Sequence, residues 1–364
     1  MIFELLLISL WTAKRMLHVA LLWQLVVCMS NHVFAMEANT DESKKPQSRM
    51  IVVLGAAGTP EYGEQFETAA KQWSTLGNRA GLAVTEIGFG SSDEKSDVDL
   101  LHAAILLLEE PDAVVAQPHW LVLIGHGTFQ ANLAKFNLRG RDVAADQLAV
   151  WTKKISHPLV ILNVASASGP FVNALSGKNR IIVTATRSGE EQDFARFGNF
   201  LPSALGDIDS DLDHDDEVSL LEAVIKAASQ TGDFYRSEDR IQTEHAIVDD
   251  NGDSLGTPAE MLNLVLRGTP ALAAKPAKPK VESAQLDGNM AAKTILIPSA
   301  NAAVLLPEEL IERARIESEL TLLRAKKTSL SEADYFAKLE KSMLELAIIY
   351  ETAEKREKLP ANSP

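Results

Sequence analysis

His119-Trp120-Leu121-Val122-Leu123-Ile124-Gly125-His126-Gly127 and Pro158-Leu159-Val160-Ile161-Leu162-Asn163-Val164-Ala165-Ser166-Ala167-Ser168-Gly169 decide the fold. Each is a short, continuous apolar run that ends abruptly in small and polar residues. A run of that kind is a strand buried on both faces, as in a parallel sheet covered by helices. In such sheets ligand and reaction sites form just beyond the carboxyl ends of the strands. His126 stands at one such end and Ser166 at the other. Gly125 and Gly127 flank the histidine and let the backbone approach a bound molecule closely. The Gly127 amide is then a candidate donor to a developing oxyanion.

Working outward, the same alternation extends in both directions. Met50–Leu54 is a first strand, and Pro60–Leu76 a helix with Phe66, Ala69, Ala70 and Trp73 on one face. Leu82–Ile87 is a second strand, and Ser96–Leu108 a helix. Asp142–Lys154 is helical, as is the short stretch Phe171–Leu175, and Arg180–Thr186 is a fifth strand. Strands alternating with helices specify an α/β three-layer sandwich with a mostly parallel central sheet. The domain is expected to span 50–268. A Pro/Ala/Lys linker follows over 269–290, and an α-helical hairpin over 291–364. Pro307-Glu308-Glu309 and the capping box Ser329-Leu330-Ser331-Glu332 start the two helices. Tyr335, Leu339, Met343, Leu346, Ala347 and Tyr350 form an apolar stripe on the second. That stripe needs a partner surface, either the α/β domain or another protein.

The N-terminus reads as a signal peptide over 1–35. Lys14-Arg15 precede an apolar run, and Val33-Phe34-Ala35 offers a cleavage site. The competing reading is an uncleaved anchor, but the apolar run is shorter than a spanning helix needs. Residues 36–49 are expected to be disordered, and the protein to be exported, either periplasmic or secreted. Cys28, the single cysteine, lies within the leader, so the exported chain has no disulfide. A net charge of −15 argues against nucleic acid, and against a membrane surface once the leader is removed. No histidine pair has the H-x-x-x-H spacing of a zinc hydrolase.

The acidic stretch Asp207–Glu222 carries the second signal. An EF-hand-type calcium loop takes oxygen ligands at positions 1, 3, 5, 7, 9 and 12. Starting at Asp211, these positions hold Asp211, Asp213, Asp215, Glu217 (through its carbonyl), Ser219 and Glu222. Starting at Asp207, Asp209 or Asp213 puts Val218, Leu220 or Val224 at the last position, where a carboxylate is required. Asp216 replaces the usual glycine at position 6. Gly198 and Pro202 are expected to interrupt the helix entering the loop. The alternative is a solvated acidic turn before a helix from Leu220 to Ser229 that Ser219 or Asp216 caps. Asp249-Asp250-Asn251-Gly252-Asp253 is a second acidic turn, readable as a weak ion site or simply as a tight turn.

Gly125-His126-Gly127 followed by Ser166-Ala167-Ser168-Gly169 resembles the legumain/caspase-like clan of cysteine peptidases, in which the motifs run G-H-G and C-x-S-G. The resemblance covers 50–268. Thr184–Gly189 and Glu244–Gly252 are similar to segments of bacterial members. It implies a caspase-haemoglobinase-like fold, with His126 in the place of the general base, Gly127 in that of the oxyanion-hole glycine, and Ser166 where the nucleophilic cysteine stands. A serine there lacks the intrinsic reactivity of a thiolate and needs a base held in contact. The expectation is a catalytically silent homologue that binds peptide or protein segments and carries a structural Ca2+. The rival expectation is a working hydrolase with Ser166 as nucleophile and His126 as base.

Overall fold

The computed structural model describes residues 48–90, 96–109, 117–263, 286–298 and 305–358. The expected leader, residues 36–47 of the N-terminal segment expected to be disordered, and most of the expected linker lie outside the described residues; the last two residues of that segment are ordered, with Ser48 buried and Arg49 opening the first strand. A seven-stranded sheet forms the centre. It contains β1 (Arg49–Leu54), β2 (Ala83–Ile87), β3 (His119–Ile124), β7 (Leu159–Asn163), β8 (Arg180–Thr184), β9 (Ile247–Asp249) and β10 (Thr257–Pro258), in the spatial order β10-β9-β8-β7-β3-β1-β2. The five strands from β2 to β8 pair in parallel, and β9 and β10 are antiparallel additions at one edge.

Successive residues of each strand enter opposite cores. Met50, Val52, Trp120, Val122, Val160 and Leu162 face one layer, where they meet Phe66, Ala69, Ala70 and Trp73 of α1 (Pro60–Arg79). That layer also holds α5 (Phe197–Gly206) and α6 (Leu220–Ser237). Ile51, Val53, Leu121, Leu123 and Ile161 face the other layer, built from α2 (Asp97–Leu106), α3 (Ala145–Thr152) and α4 (Pro170–Leu175). Because both faces are covered, the interiors of β1, β3, β7 and β8 are continuous apolar runs, while edge strand β2 carries Thr85 and exposed Glu86. The structure is therefore an α/β three-layer sandwich. Gly198 and Pro202 do not interrupt the helix before the acidic loop: α5 runs through both.

A second, three-stranded antiparallel sheet stands beyond the tip of β3, made of β4 (Gly127–Gln130), β5 (Leu133–Phe136) and β6 (Val143–Ala144). Arg139 fastens it to the domain through two bonds to buried Asp97, at 2.7 and 2.8 Å, and a third to the Gly90 carbonyl. A bidentate guanidinium–carboxylate pair of this kind fixes orientation as well as distance.

The linker expected over 269–290 ends earlier than its composition suggests. From Leu286 the chain is docked on the domain, with Asp287, Ala291 and Leu296 buried. Thr294 accepts from the Leu220 amide, and Ile295 forms a β-bridge with Ser219. The start of the hairpin region, from 291 to 298, is thus part of the α/β layer. The hairpin itself is α7 (Pro307–Ala325) and α8 (Glu332–Lys358). Its buried face on α8 is Tyr335, Ser342 and Ala353, with Leu339, Leu346 and Tyr350 partly covered. Met343 and Ala347, placed on the apolar stripe by sequence, are exposed. Small Ser342 and Ala353 are buried instead. Among the described residues no helix is long and apolar enough to cross a membrane.

Candidate functional site

The strand order reverses between β1 and β3: the chain leaves β1 towards β2, then returns past it to build β3, β7 and β8 outward. The carboxyl ends at this switch point form a natural crevice. Gly55 and Gly125 let the two tips approach, and the Gly55 amide donates to the Ile124 carbonyl at 2.8 Å. A side chain at Gly55 would lie 2.6 Å from the Asn137 carbonyl. His126 leaves the tip of β3 here. Its Nε2 lies 3.3 Å from the Ala57 carbonyl, so that nitrogen carries the proton and Nδ1 keeps the lone pair. Tyr62, Phe66 and Phe194 pack around the ring at centroid distances of 5.0, 5.0 and 6.2 Å. Burial among these rings lowers the His126 pKa, while the Ala57 bond opposes the shift. His126 is therefore a neutral imidazole near pH 7.

Ser166 sits at the tip of β7 and is only 2% exposed. Its Oγ accepts from the Gly127 amide at 3.2 Å and donates to the Gly127 carbonyl at 3.3 Å. The structure thus brings Ser166 onto Gly127. No hydrogen bond joins Ser166 to His126 among the described residues. The amide expected to stabilise an oxyanion is already satisfied by the serine hydroxyl. Ala167 follows with φ +52, a left-handed conformation uncommon for a residue with a side chain, and its amide donates to the Glu191 carbonyl at 2.7 Å. Gly169 is obligatory, because a Cβ there would lie 2.4 Å from the Arg187 carbonyl carbon.

Two groups that sequence reasoning passed over complete the rim. The Glu191 carboxylate is largely buried. It accepts from the Arg187 amide at 2.9 Å, pairs with the Arg187 guanidinium at 3.2 Å, and contacts His245 Nδ1 at 2.7 Å. Glu244 accepts from the Arg196 and Phe197 amides at 2.8 and 3.0 Å, filling the otherwise uncapped N-terminus of α5. Burial raises its pKa against these bonds. The pair Glu244-His245 was visible as a motif, but its partners lie in distant parts of the chain. Beneath them Ser168, Thr184 and Thr186 form a buried hydroxyl network that joins the tips of β7 and β8. A separate open cleft of ≈ 600 Å³ between α1 and α5, bordered by Lys71, Gln72, Arg79 and Ser203, contains none of these residues.

The acidic loop brings Asp211, Asp213 and Asp215 together, each offering an oxygen within 4.8 Å of the others. Asp211 also accepts from the amides of His214, Asp215 and Asp216, which wraps the loop around it. Asp216 adopts φ +68, the conformation for which a calcium loop favours glycine at this position. Burial, and then the charges of Asp213, Glu217 and Glu222, outweigh the Glu217 amide bond and raise the Asp215 pKa to about 6. Glu222 does not join the group. Its Oε1 accepts from the Leu212 and Asp213 amides, and its Oε2 from the amide and hydroxyl of Ser219. Ser219 and Glu222 form a capping box on α6, with Ser219 as the cap that the alternative reading named. The Glu217 side chain turns to Arg313 on α7 at 2.7 Å. Three of the six expected ligand positions therefore converge through their side chains.

No protein-family model matches this chain, and no curated protein does. Among solved structures, the Drosophila initiator caspase Dronc is similar over 60% of this chain and 88% of its own, with a TM-score of 0.37 and 16% identity.

Proposed function

We propose that this protein is an exported caspase/legumain-like homologue that binds peptide or protein segments at the strand tips without efficiently cleaving them. One observation carries the reading: the Ser166 hydroxyl is spent on the Gly127 backbone and is not held by His126. A serine nucleophile needs a base in hydrogen-bond contact, and an acyl-transfer site needs a free oxyanion donor. Neither requirement is met. The G-H-G and S-A-S-G motifs at adjoining parallel strand tips, and the left-handed Ala167 beside Ser166, support descent from a peptidase scaffold. The exposed apolar side chains Phe336, Met343, Leu344 and Ile348 on α8 support a second protein contact through the hairpin.

A structural calcium belongs to this reading. Asp211, Asp213 and Asp215 fit a hard cation, and the Glu217 carbonyl and Ser219 stand at the intervening positions. Glu222 fits less well, because coordination would take it from four donors, two in the loop and two at the helix cap. Its role here is to close the loop, with water completing the coordination.

The deciding test incubates the purified protein with a fluorophosphonate probe and a peptide library. No labelling at Ser166 and no turnover are expected. Labelling that disappears in His126→Ala would overturn the silent reading and establish the serine hydrolase instead.

A further inference from the structure

A second acidic group lies at the far edge of the sheet, where β9 ends. Asp249 closes that strand, Asp253 follows in the turn, and Asp287 arrives from a distant part of the chain. Each offers one carboxylate oxygen, and these oxygens lie within 4.8 Å of one another. Asp249 and Asp287 are each 1% exposed. Among the described residues no lysine or arginine forms an ion pair with any of the three.

The hydrogen bonds of the turn leave one atom unexplained. Asp287 is occupied at both oxygens, by the Asp250 and Asn251 amides and by the Thr257 hydroxyl at 2.7 Å. Asp253 accepts from the Leu255 amide and the Asn251 side chain. Asp249 Oδ1 accepts from the Gly252 amide at 3.0 Å, and the Ser176 hydroxyl lies close enough to favour its charged form. Asp249 Oδ2 is buried with no hydrogen-bond partner. A buried carboxylate oxygen without a donor is costly, and a cation is the ligand that satisfies it while neutralising its neighbours.

We infer that Asp249, Asp253 and Asp287 form a second binding site, for the divalent cation Ca2+. Mg2+ keeps several of its waters and binds through one or two carboxylates, whereas Ca2+ accepts several carboxylates in a protein cage. Three carboxylates, two of them buried, suit the second ion. The ion would clamp the chain at Asp287 to the end of β9. Asp250 already holds the same segment by accepting from the Gly288, Met290 and Ala291 amides. The site is independent of the Asp211–Asp215 loop, so either can fail without the other.

The experiment measures Ca2+ binding to the full protein by titration calorimetry in excess Mg2+. It uses wild type, Asp215→Asn to disable the first loop, and Asp215→Asn combined with Asp253→Asn. Asp253 is exposed, so its replacement leaves the fold intact, and near-UV circular dichroism checks this. Asp215→Asn should retain a calcium-binding event, and adding Asp253→Asn should weaken it at least tenfold. Asp253→Ala in the same background should do the same. No binding to a folded Asp215→Asn protein overturns the second site, as does binding unaffected by both Asp253 variants. Loss of the first-loop event alone, measured as wild type against Asp215→Asn, tests the earlier calcium reading separately.

Discussion

Ser166 and Gly127 exchange two hydrogen bonds, the serine hydroxyl accepting from the glycine amide and donating to its carbonyl. Their backbones are equally close: a Cβ on Gly127 would stand 2.1 Å from the Ser166 carbonyl oxygen. The tips of β3 and β7, already paired in parallel, are locked where the sheet ends. The hydroxyl is a strut between the two motifs that define the site. Serine suits this role better than cysteine, because an oxygen both donates and accepts strongly at these distances.

From this contact follows an ordering of stabilities. Gly127→Ala forces two backbones apart and should cost about 3 kcal/mol, the upper range for overpacking a closed space. Ser166→Ala removes two hydrogen bonds to a half-exposed backbone that water can reach, at about 1 kcal/mol. Urea denaturation midpoints check the order. If Ser166→Ala is the more damaging, the close approach is not what holds the tips together.

Acidification should strike at the opposite end of β3. The Arg49 amide donates to Nδ1 of buried His119 at 3.0 Å, so the neutral ring serves as the acceptor that starts β1. Burial, with the nearby charges of His157 and Arg49, lowers the His119 pKa to about 4. Between the ordinary histidine value of about 6.5 and this one, the unfolded chain binds the proton and the folded chain does not. This contribution is complete above the higher value and is lost as pH falls through the window. The wild type should lose thermal stability between pH 6.5 and pH 4, and His119→Gln should lose less over the same range. Parallel melting curves for the two proteins would remove His119 from the account. Asp215 and Asp287 act in the opposite sense: their raised pKa values favour the folded state at lower pH when no cation is bound.

The layered fold was legible in the sequence because burial on both faces removes ambiguity. Val52 and Val53 enter different cores, yet both must be apolar. The features that escaped are those whose meaning lies in remote partners. Gly127–Phe136 folds into two short strands of mixed burial, a pattern too brief to show a period. Asp287 and Gly288 follow an Ala/Pro/Lys stretch and look like linker, until Asp250, Asn251 and Thr257 are seen to bind them. Glu222 fits a calcium ligand and a capping box equally well by spacing, and only its four hydrogen bonds separate the two roles. For His126 and Ser166, sequence placed both at strand ends. It carried no information about rotamers, and these turn one side chain to Ala57 and the other to Gly127.

The hairpin is joined to the acidic loop through one arginine. Arg313 on α7 reaches Glu217 in the loop and Glu317 one turn along its own helix, each at 2.7 Å, and lies beside the Tyr350 ring of α8. Glu217 is buried, so removing the guanidinium leaves a carboxylate without its counter-charge. Arg313→Ala should therefore destabilise the protein by about 3 kcal/mol, near the low end for breaking a buried ion pair. The loss should be local, with hydrogen exchange accelerating across Pro307–Ala325 and Glu332–Lys358 while β1, β3 and β7 stay protected. Replacing both partners by methionine should recover most of the stability, since the penalty comes from the stranded charge and not from the missing attraction. Unchanged exchange in the two helices of Arg313→Ala would mean that Leu323, Tyr335 and Ala353 hold the hairpin together, and that the ion pair is incidental to its docking.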